Sequence, residues 1–282
     1  MAIRNSKPVR FTPKGVCDAF DATDAFAGAC EILTNLIFDQ ANPEVVVSRP
    51  GVGPPQTSFA GFTTPTFVSV QVTIGVVVYG MVSSARNPGN DEPFAYNLLT
   101  NSFITISGVT AANTPASPAT SGAWTPPTMA VISTDIIVTH PGFSGTGSNF
   151  FGVLSIANPA APTWTSANLA TNPLPVVPTS VANFNNRAYY SYNNHLALSD
   201  PLTPLTRTNA SQDLTIGDTT PVTAQSGLPV QTISAGVIGA LVVFKAFSIW
   251  QITGDPATSN LALNYITLTT GTAAPRSVAQ CP

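Results

Sequence analysis

The feature that most constrains this chain is a recurring unit of about fifty residues, each opening with a proline and an apolar strand. Four openings read alike: Pro65-Thr66-Phe67-Val68, Pro127-Thr128-Met129-Ala130-Val131, Pro178-Thr179-Ser180-Val181 and Pro229-Val230-Gln231-Thr232-Ile233. A fifth, Pro275-Arg276-Ser277-Val278, follows near the end. The spacings are 62, 51, 51 and 46 residues (65 to 127 to 178 to 229 to 275). Proline suits the first position of a strand, where its missing N–H costs no ladder hydrogen bond.

Each unit continues in the same order. A strongly apolar second strand is predicted at Gly75–Tyr79, Asp135–Thr139, Arg187–Tyr190 and Gly239–Phe244. A third is predicted at Phe94–Leu98, Asn149–Ile156, His195–Ser199 and Ser248–Thr253, and an outermost one at Phe103–Ser107, Thr163–Ser166, Leu205–Asn209 and Leu261–Thr267. Three or four short strands per unit is the pattern of β-propeller blades. The expected fold is therefore all-β and β-propeller-like. It has about four blades of three to four antiparallel strands, plus the start of a fifth. An antiparallel β-sandwich is the alternative, since sandwiches also space short strands regularly. The longer first unit points to a loop insertion at Ala85–Pro93.

Residues 1–50 differ from the repeat region, 51–282. They hold five of the ten basic and six of the thirteen acidic residues. Within them Ala25–Phe38 is the one predicted helix, capped by Asp24, with Ala29, Leu33, Leu36 and Ile37 roughly on one face. Asn42-Pro43 breaks it, and Glu44–Val47 reads as a short strand before the turn Arg49-Pro50-Gly51. This segment, residues 1–50 with their mixed charges and single helix, is expected to be a docking element, and deletion of Met1–Lys14 is the test of that expectation.

Charged residues make up 8% of the chain and the net charge is −3. Lysine and glutamate, the usual helix formers, number three each: Lys7, Lys14 and Lys245; Glu31, Glu44 and Glu92. Hydrophobic residues at 44% in strand-length runs argue against disorder. The longest run, Val237–Phe244, is too short to span a bilayer, and Met1–Gly15 lacks the apolar core of a signal peptide. The chain is thus expected to be made in the cytoplasm, with no membrane insertion. From Gly51 onward the basic residues are Arg86, Arg187, Arg207, Lys245 and Arg276, too scattered for tight binding to phosphates. Cys17, Cys30 and Cys281 show neither a disulfide framework nor zinc spacing.

Catalytic chemistry finds little material. The two histidines, His140 and His195, sit at strand ends beside turn residues. Gly142-Phe143-Ser144-Gly145-Thr146 misses the G-x-S-x-G pattern and reads as a turn. The acids of the repeat region are Asp91, Glu92, Asp135, Asp200, Asp213, Asp218 and Asp255, with no recurring pair for glycoside hydrolysis. Asp213 and Asp218 are near in sequence, but the spacing matches no calcium loop. Trp124, Trp164 and Trp250 are expected to pack in the core or between blades. No catalytic, cofactor-binding or metal-binding residue is predicted, and the chain is not expected to be an enzyme.

Two segments carry a resemblance. Asn35-Leu36-Ile37-Phe38-Asp39, followed by Ser48-Arg49-Pro50-Gly51-Val52, resembles the N-terminal region of tail proteins of short-tailed bacteriophages. Val242–Asp255 (VVFKAFSIWQITGD) resembles the blade hairpin of their tail nozzle family, also called packaged-DNA stabilisation proteins. Gly271–Val278 is similar to the opening of that family's next blade. The resemblance implies a virion component: a homo-oligomer, expected as a hexameric ring, below the portal and adaptor rings. DNA would pass through its lumen without sequence-specific binding. The competing expectation is a receptor- or glycan-binding propeller using exposed aromatics in Tyr189–His195.

Overall fold

In this computed structural model the described residues are 36–38, 46–48, 67–83, 87–117, 127–233, 236–254 and 260–272. The chain divides into two units, Met1–Thr57 and Ser58–Pro282. In the first, β1 (Leu36–Phe38) pairs antiparallel with β2 (Val46–Ser48), Ile37 opposite Val47. Residues 36–38 are therefore strand, correcting the end of the helix predicted at Ala25–Phe38. Leu-Ile-Phe has a Val-Val partner within hairpin reach, and β-branched and aromatic side chains favour the pleated pairing over a helix. The remainder of that predicted helix lies outside the described residues, as do Met1–Lys14, Trp124 and Pro275–Val278.

The described part of the second unit is all-β, and its main sheets are four antiparallel meanders of four strands each. Sheet 1 is β3 (Phe67–Ile74), β4 (Val77–Ser83), β5 (Asp91–Asn97) and β6 (Ser102–Ile104). Sheet 2 is β7 (Thr128–Ile132), β8 (Asp135–Thr139), β9 (Phe151–Ser155) and β10 (Thr163–Ala167). A short strand β11 (Ala170–Thr171) follows. Sheet 3 is β12 (Ser180–Phe184), β13 (Arg187–Tyr192), β14 (His195–Leu198) and β16 (Asp213–Thr215), while β15 (Thr206–Arg207) pairs in parallel with β11. Sheet 4 is β17 (Val222–Ile233), β18 (Gly236–Lys245), β19 (Ile249–Thr253) and β20 (Ala262–Thr267). The first strands of consecutive sheets neighbour one another, β3 beside β7, β7 beside β12 and β12 beside β17, so the sheets stack in chain order.

Stacking explains the apolar runs. Along β8, Ile136 and Val138 join a core with Tyr79, Met81 and Ala95 of sheet 1, while Ile137 joins one with Val181, Tyr190 and Ala197 of sheet 3. Along β13, Tyr190 faces sheet 2 and Tyr189 faces Leu241 and Val243 of sheet 4. Strands alternate faces with period two, so a sheet covered on both sides needs apolar residues at every position. Each large side chain so buried contributes about 1.5–3 kcal/mol. The tight connections follow local chemistry: Asn185 (φ 50°) and Asn186 (φ 57°) both occupy the left-handed region that a two-residue type I′ hairpin turn between β12 and β13 requires.

Three sequence expectations are corrected. The outermost strand of sheet 3 is β16, not Leu205–Asn209. Thr206 and Arg207 pair with the segment leaving sheet 2 instead. Pro229 does not open its strand: β17 starts at Val222, and Pro229 lies inside it opposite Gly239. As the first strand of its sheet, β17 has one edge outside that ladder, where a missing N–H is tolerated. The extra length of the first unit lies in the connection 105–127, since residues 91–93 are already part of β5.

Candidate functional site

The side chains with chemical potential gather where consecutive sheets meet, at the ends where second strands finish and third strands start. Between sheets 1 and 2, Asp91 opens β5 and His140 follows β8. His140 Nε2 lies 2.9 Å from Asp91 Oδ2, and both side chains are completely buried. The Gly142 N–H donates to His140 Nδ1 at 2.9 Å, so the imidazole proton sits on Nε2 and is donated to the carboxylate. Gly142 is held against Ala116, whose N–H donates to the Gly142 carbonyl at 2.9 Å. A Cβ on Gly142 would lie 2.0 Å from the Ala116 oxygen, so this approach requires glycine. The near-miss nucleophile motif is a turn: Phe143 is buried, and Ser144 Oγ pairs with Thr146 Oγ1 at 2.9 Å.

Between sheets 2 and 3, Asp213 gathers three donors. Tyr192 Oη makes a short hydrogen bond to Oδ2, Arg207 Nη1 donates to the same oxygen at 3.0 Å, and His195 Nδ1 meets Oδ1 at 3.0 Å. The Tyr192 and His195 rings stack, with centroids 5.2 Å apart and planes 10° apart. Burial, then the hydrogen bond to Asp213, raise the Tyr192 phenol well above its usual range. Arg207 also donates to the carbonyls of Asn172 (2.9 Å) and Pro173 (3.3 Å), in the segment leaving sheet 2. Asn172 returns two hydrogen bonds, to the carbonyls of Arg207 and Thr208, both 2.9 Å.

Between sheets 3 and 4, Lys245 ends β18 and is fully buried. Its ammonium donates to the carbonyls of Ile216 (2.6 Å) and Asp218 (2.7 Å) and to Asp218 Oδ1 (2.6 Å). All three of its donors are thereby used. The hydrogen bond from Lys245, then that from Thr220, lower the Asp218 carboxyl to about 2. Sheet edges reinforce this seam, with Gln225 Nε2 donating to the Tyr189 carbonyl at 2.7 Å and Asn185 Nδ2 to the Gly254 carbonyl at 2.9 Å.

These clusters bind the sheets to one another. His195 and Asp213 form an oriented imidazole–carboxylate dyad, yet no hydroxyl or thiol among the described residues bonds to that ring. Asp213 and Asp218 do not converge: one serves Tyr192, His195 and Arg207, the other Lys245. Among the described residues no group of three or more His, Cys, Asp or Glu is placed to hold a metal ion. Tyr189, Tyr190 and Tyr192 are buried, which removes the exposed aromatic platform expected at Tyr189–His195. Trp164 is buried over Gly152, its Nε1 donating to the Asn113 carbonyl at 3.0 Å. Trp250 is half-buried against Gly217, and its Nε1 donates to Ser248 Oγ at 3.0 Å.

Sequence reasoning misses all three seams. Their partners are 49, 6 to 35 and 27 to 29 residues apart, with no local motif. The available signal is positional: in a chain with so few charges, His140, His195 and Lys245 each fall at a junction of second and third strands.

Compared with known protein families and with curated proteins, the chain matches no family model and no curated protein.

Proposed function

We propose that this chain is a structural virion protein of a short-tailed bacteriophage, an oligomeric tail nozzle. It extends the DNA channel below the portal and adaptor rings and helps retain the packaged genome. The four stacked sheets act as blades of a propeller-like body, and the chain works by assembly, without catalysis or a cofactor.

The observation that carries the reading is the fate of positive charge. The described cations of residues 58–282 are Arg187, Arg207 and Lys245, and all three are buried. Arg207 and Lys245 hold carbonyls and carboxylates at the seams, and Arg187 Nη1 donates to the Ser199 carbonyl at 2.8 Å. DNA binds electrostatically when exposed Lys and Arg release phosphate counterions. A wall whose cations are turned inward has little grip on phosphates, and a conduit for DNA moving under pressure needs that property. The resemblance of Val242–Asp255 to the nozzle hairpin supports the same reading, and residues 242–253 there belong to the β18–β19 hairpin.

Negative-stain microscopy of the purified chain tests it. The reading predicts six-membered rings with a central opening, which leave DNA mobility unchanged at low salt. A monomer, or a protein that retards DNA with a steep salt dependence, overturns it.

A further inference from the structure

The exposed apolar side chains of the second unit are unevenly placed. Eleven large hydrophobic residues are exposed among the described ones, and nine of them lie on the first and last sheets. Four belong to sheet 1: Ile74, Val76, Leu98 and Leu99. Five belong to sheet 4 and its turns: Phe247, Leu263, Tyr265, Ile266 and Leu268. The middle sheets contribute only the isolated Val176 and Leu202, both on connecting segments.

The sheet 1 patch has a fixed shape. The Leu98 N–H donates to the Val76 carbonyl at 2.9 Å, which brings the β3–β4 and β5–β6 turns together. Asn97 Oδ1 accepts from the N–H groups of Leu99 (2.9 Å) and Thr100 (3.2 Å), fixing the turn that leaves Leu99 76% exposed. The sheet 4 patch is an outer strand. β20 runs for six residues, and its central four are exposed on both faces, with Tyr265 at 65%. The other outer strands differ. β6 and β16 have three residues each, and β10 is flanked by Ser107, through Ser107 N to Pro162 O (3.1 Å) and Trp164 N to Ser107 O (2.8 Å).

Edge strands left bare are normally short, charged, bulged or broken by proline. Around β20 the charges and prolines are missing: residues 257–272, after Asp255-Pro256, contain no Asp, Glu, Lys, Arg or Pro, and the one protective device is a bulge that leaves Ile266 between the Tyr265–Trp250 and Thr267–Ile249 pairs. The sheet 1 patch, residues 94–104, is equally uncharged. Exposed apolar patches of this kind mark interfaces.

We infer that β20 and its flanking turn on one copy of this chain dock onto the Ile74–Val76–Leu98–Leu99 patch of a second copy. The occupant is a second copy because the two patches lie on the first and last sheets of the chain-ordered series, each lacking a next sheet in that order, and neither carries a charge to oppose the other. Two different patches in contact make a head-to-tail interface, which forms rings when the rotation closes. This deepens the homo-oligomer part of the proposed function and rests on it.

The test uses the full chain with two double variants, Leu98→Asp/Leu99→Asp on sheet 1 and Tyr265→Asp/Ile266→Asp on sheet 4. Circular dichroism establishes that each keeps its strands, and light scattering reads the mass. Each variant alone is expected to be a monomer. An equal mixture is expected to give a two-chain species and nothing larger, because only one complementary pair of intact patches remains. The milder Leu99→Ser and Ile266→Thr variants, for which folding is not at stake, are expected to weaken assembly at least tenfold. A six-membered ring unaffected by either variant overturns the contact and leaves the ring reading standing. Wild-type dimers or filaments abolished by both variants support the contact and overturn the six-membered ring. A dimer sensitive only to the sheet 4 variant overturns the head-to-tail pairing, and a monomeric wild type overturns both.

Discussion

Lys245 shows how a single residue in this chain trades solvation for position. A buried ammonium is costly unless every donor is paired, and here two carbonyls and a carboxylate complete the set. Replacing it (Lys245→Met) keeps the apolar stem but leaves the Ile216 carbonyl without its donor. The expected loss is about 1–3 kcal/mol, read as a lower midpoint in urea with an unchanged slope. An unchanged midpoint would mean that the seam does not depend on this clamp. Asp218 gives the same seam a pH dependence. Its carboxyl titrates near 2 in the folded chain against an ordinary 3.8, so its contribution is complete above about pH 4 and is lost as pH falls toward 2. Thermal melts should therefore fall across that window, and Asp218→Asn should flatten part of the slope. Equal slopes for the two proteins would contradict the assignment.

At the scale of elements, small residues set how closely strands and sheets approach. A Cβ on Gly152 of β9 would lie 1.9 Å from the Trp164 ring of β10. The ring covers the bare backbone and, through Nε1, reaches Asn113 in the long connection after sheet 1. Gly152→Ala should cost about 1–3 kcal/mol by overpacking and shift the Trp164 fluorescence to the red as the indole is displaced. A wild-type spectrum and stability would show that the ring has room to move. The same packing explains what is legible in the sequence. Second and third strands are readable because sheets 2 and 3 are covered on both faces, and their apolar runs have no polar interruption. The outer strand of sheet 3 is not readable, because Asp-Leu-Thr is short and polar and owes its strand character to pairing with β14. Leu205–Asn209 looks more strand-like, yet two of its residues pair across to the preceding sheet. Pro229 misleads for a related reason: a boundary residue in a central strand is an allowed interior residue in a first strand. The three seams are illegible because each joins different units, and which strand ends meet depends on the stacking of whole sheets.

At the scale of the molecule, the described residues of the second unit combine an apolar stack of sheets with three inward-turned cations and bare patches on the first and last sheets. A surface so poor in charge associates readily, because little electrostatic repulsion keeps copies apart. The proposed nozzle uses that tendency to build a ring and leaves its wall without a grip on DNA. Sedimentation of the full chain at physiological salt measures this most directly. The account predicts one species of about 175 kDa, six copies of 29.2 kDa. A single species at 29.2 kDa, unchanged as concentration rises, would contradict it.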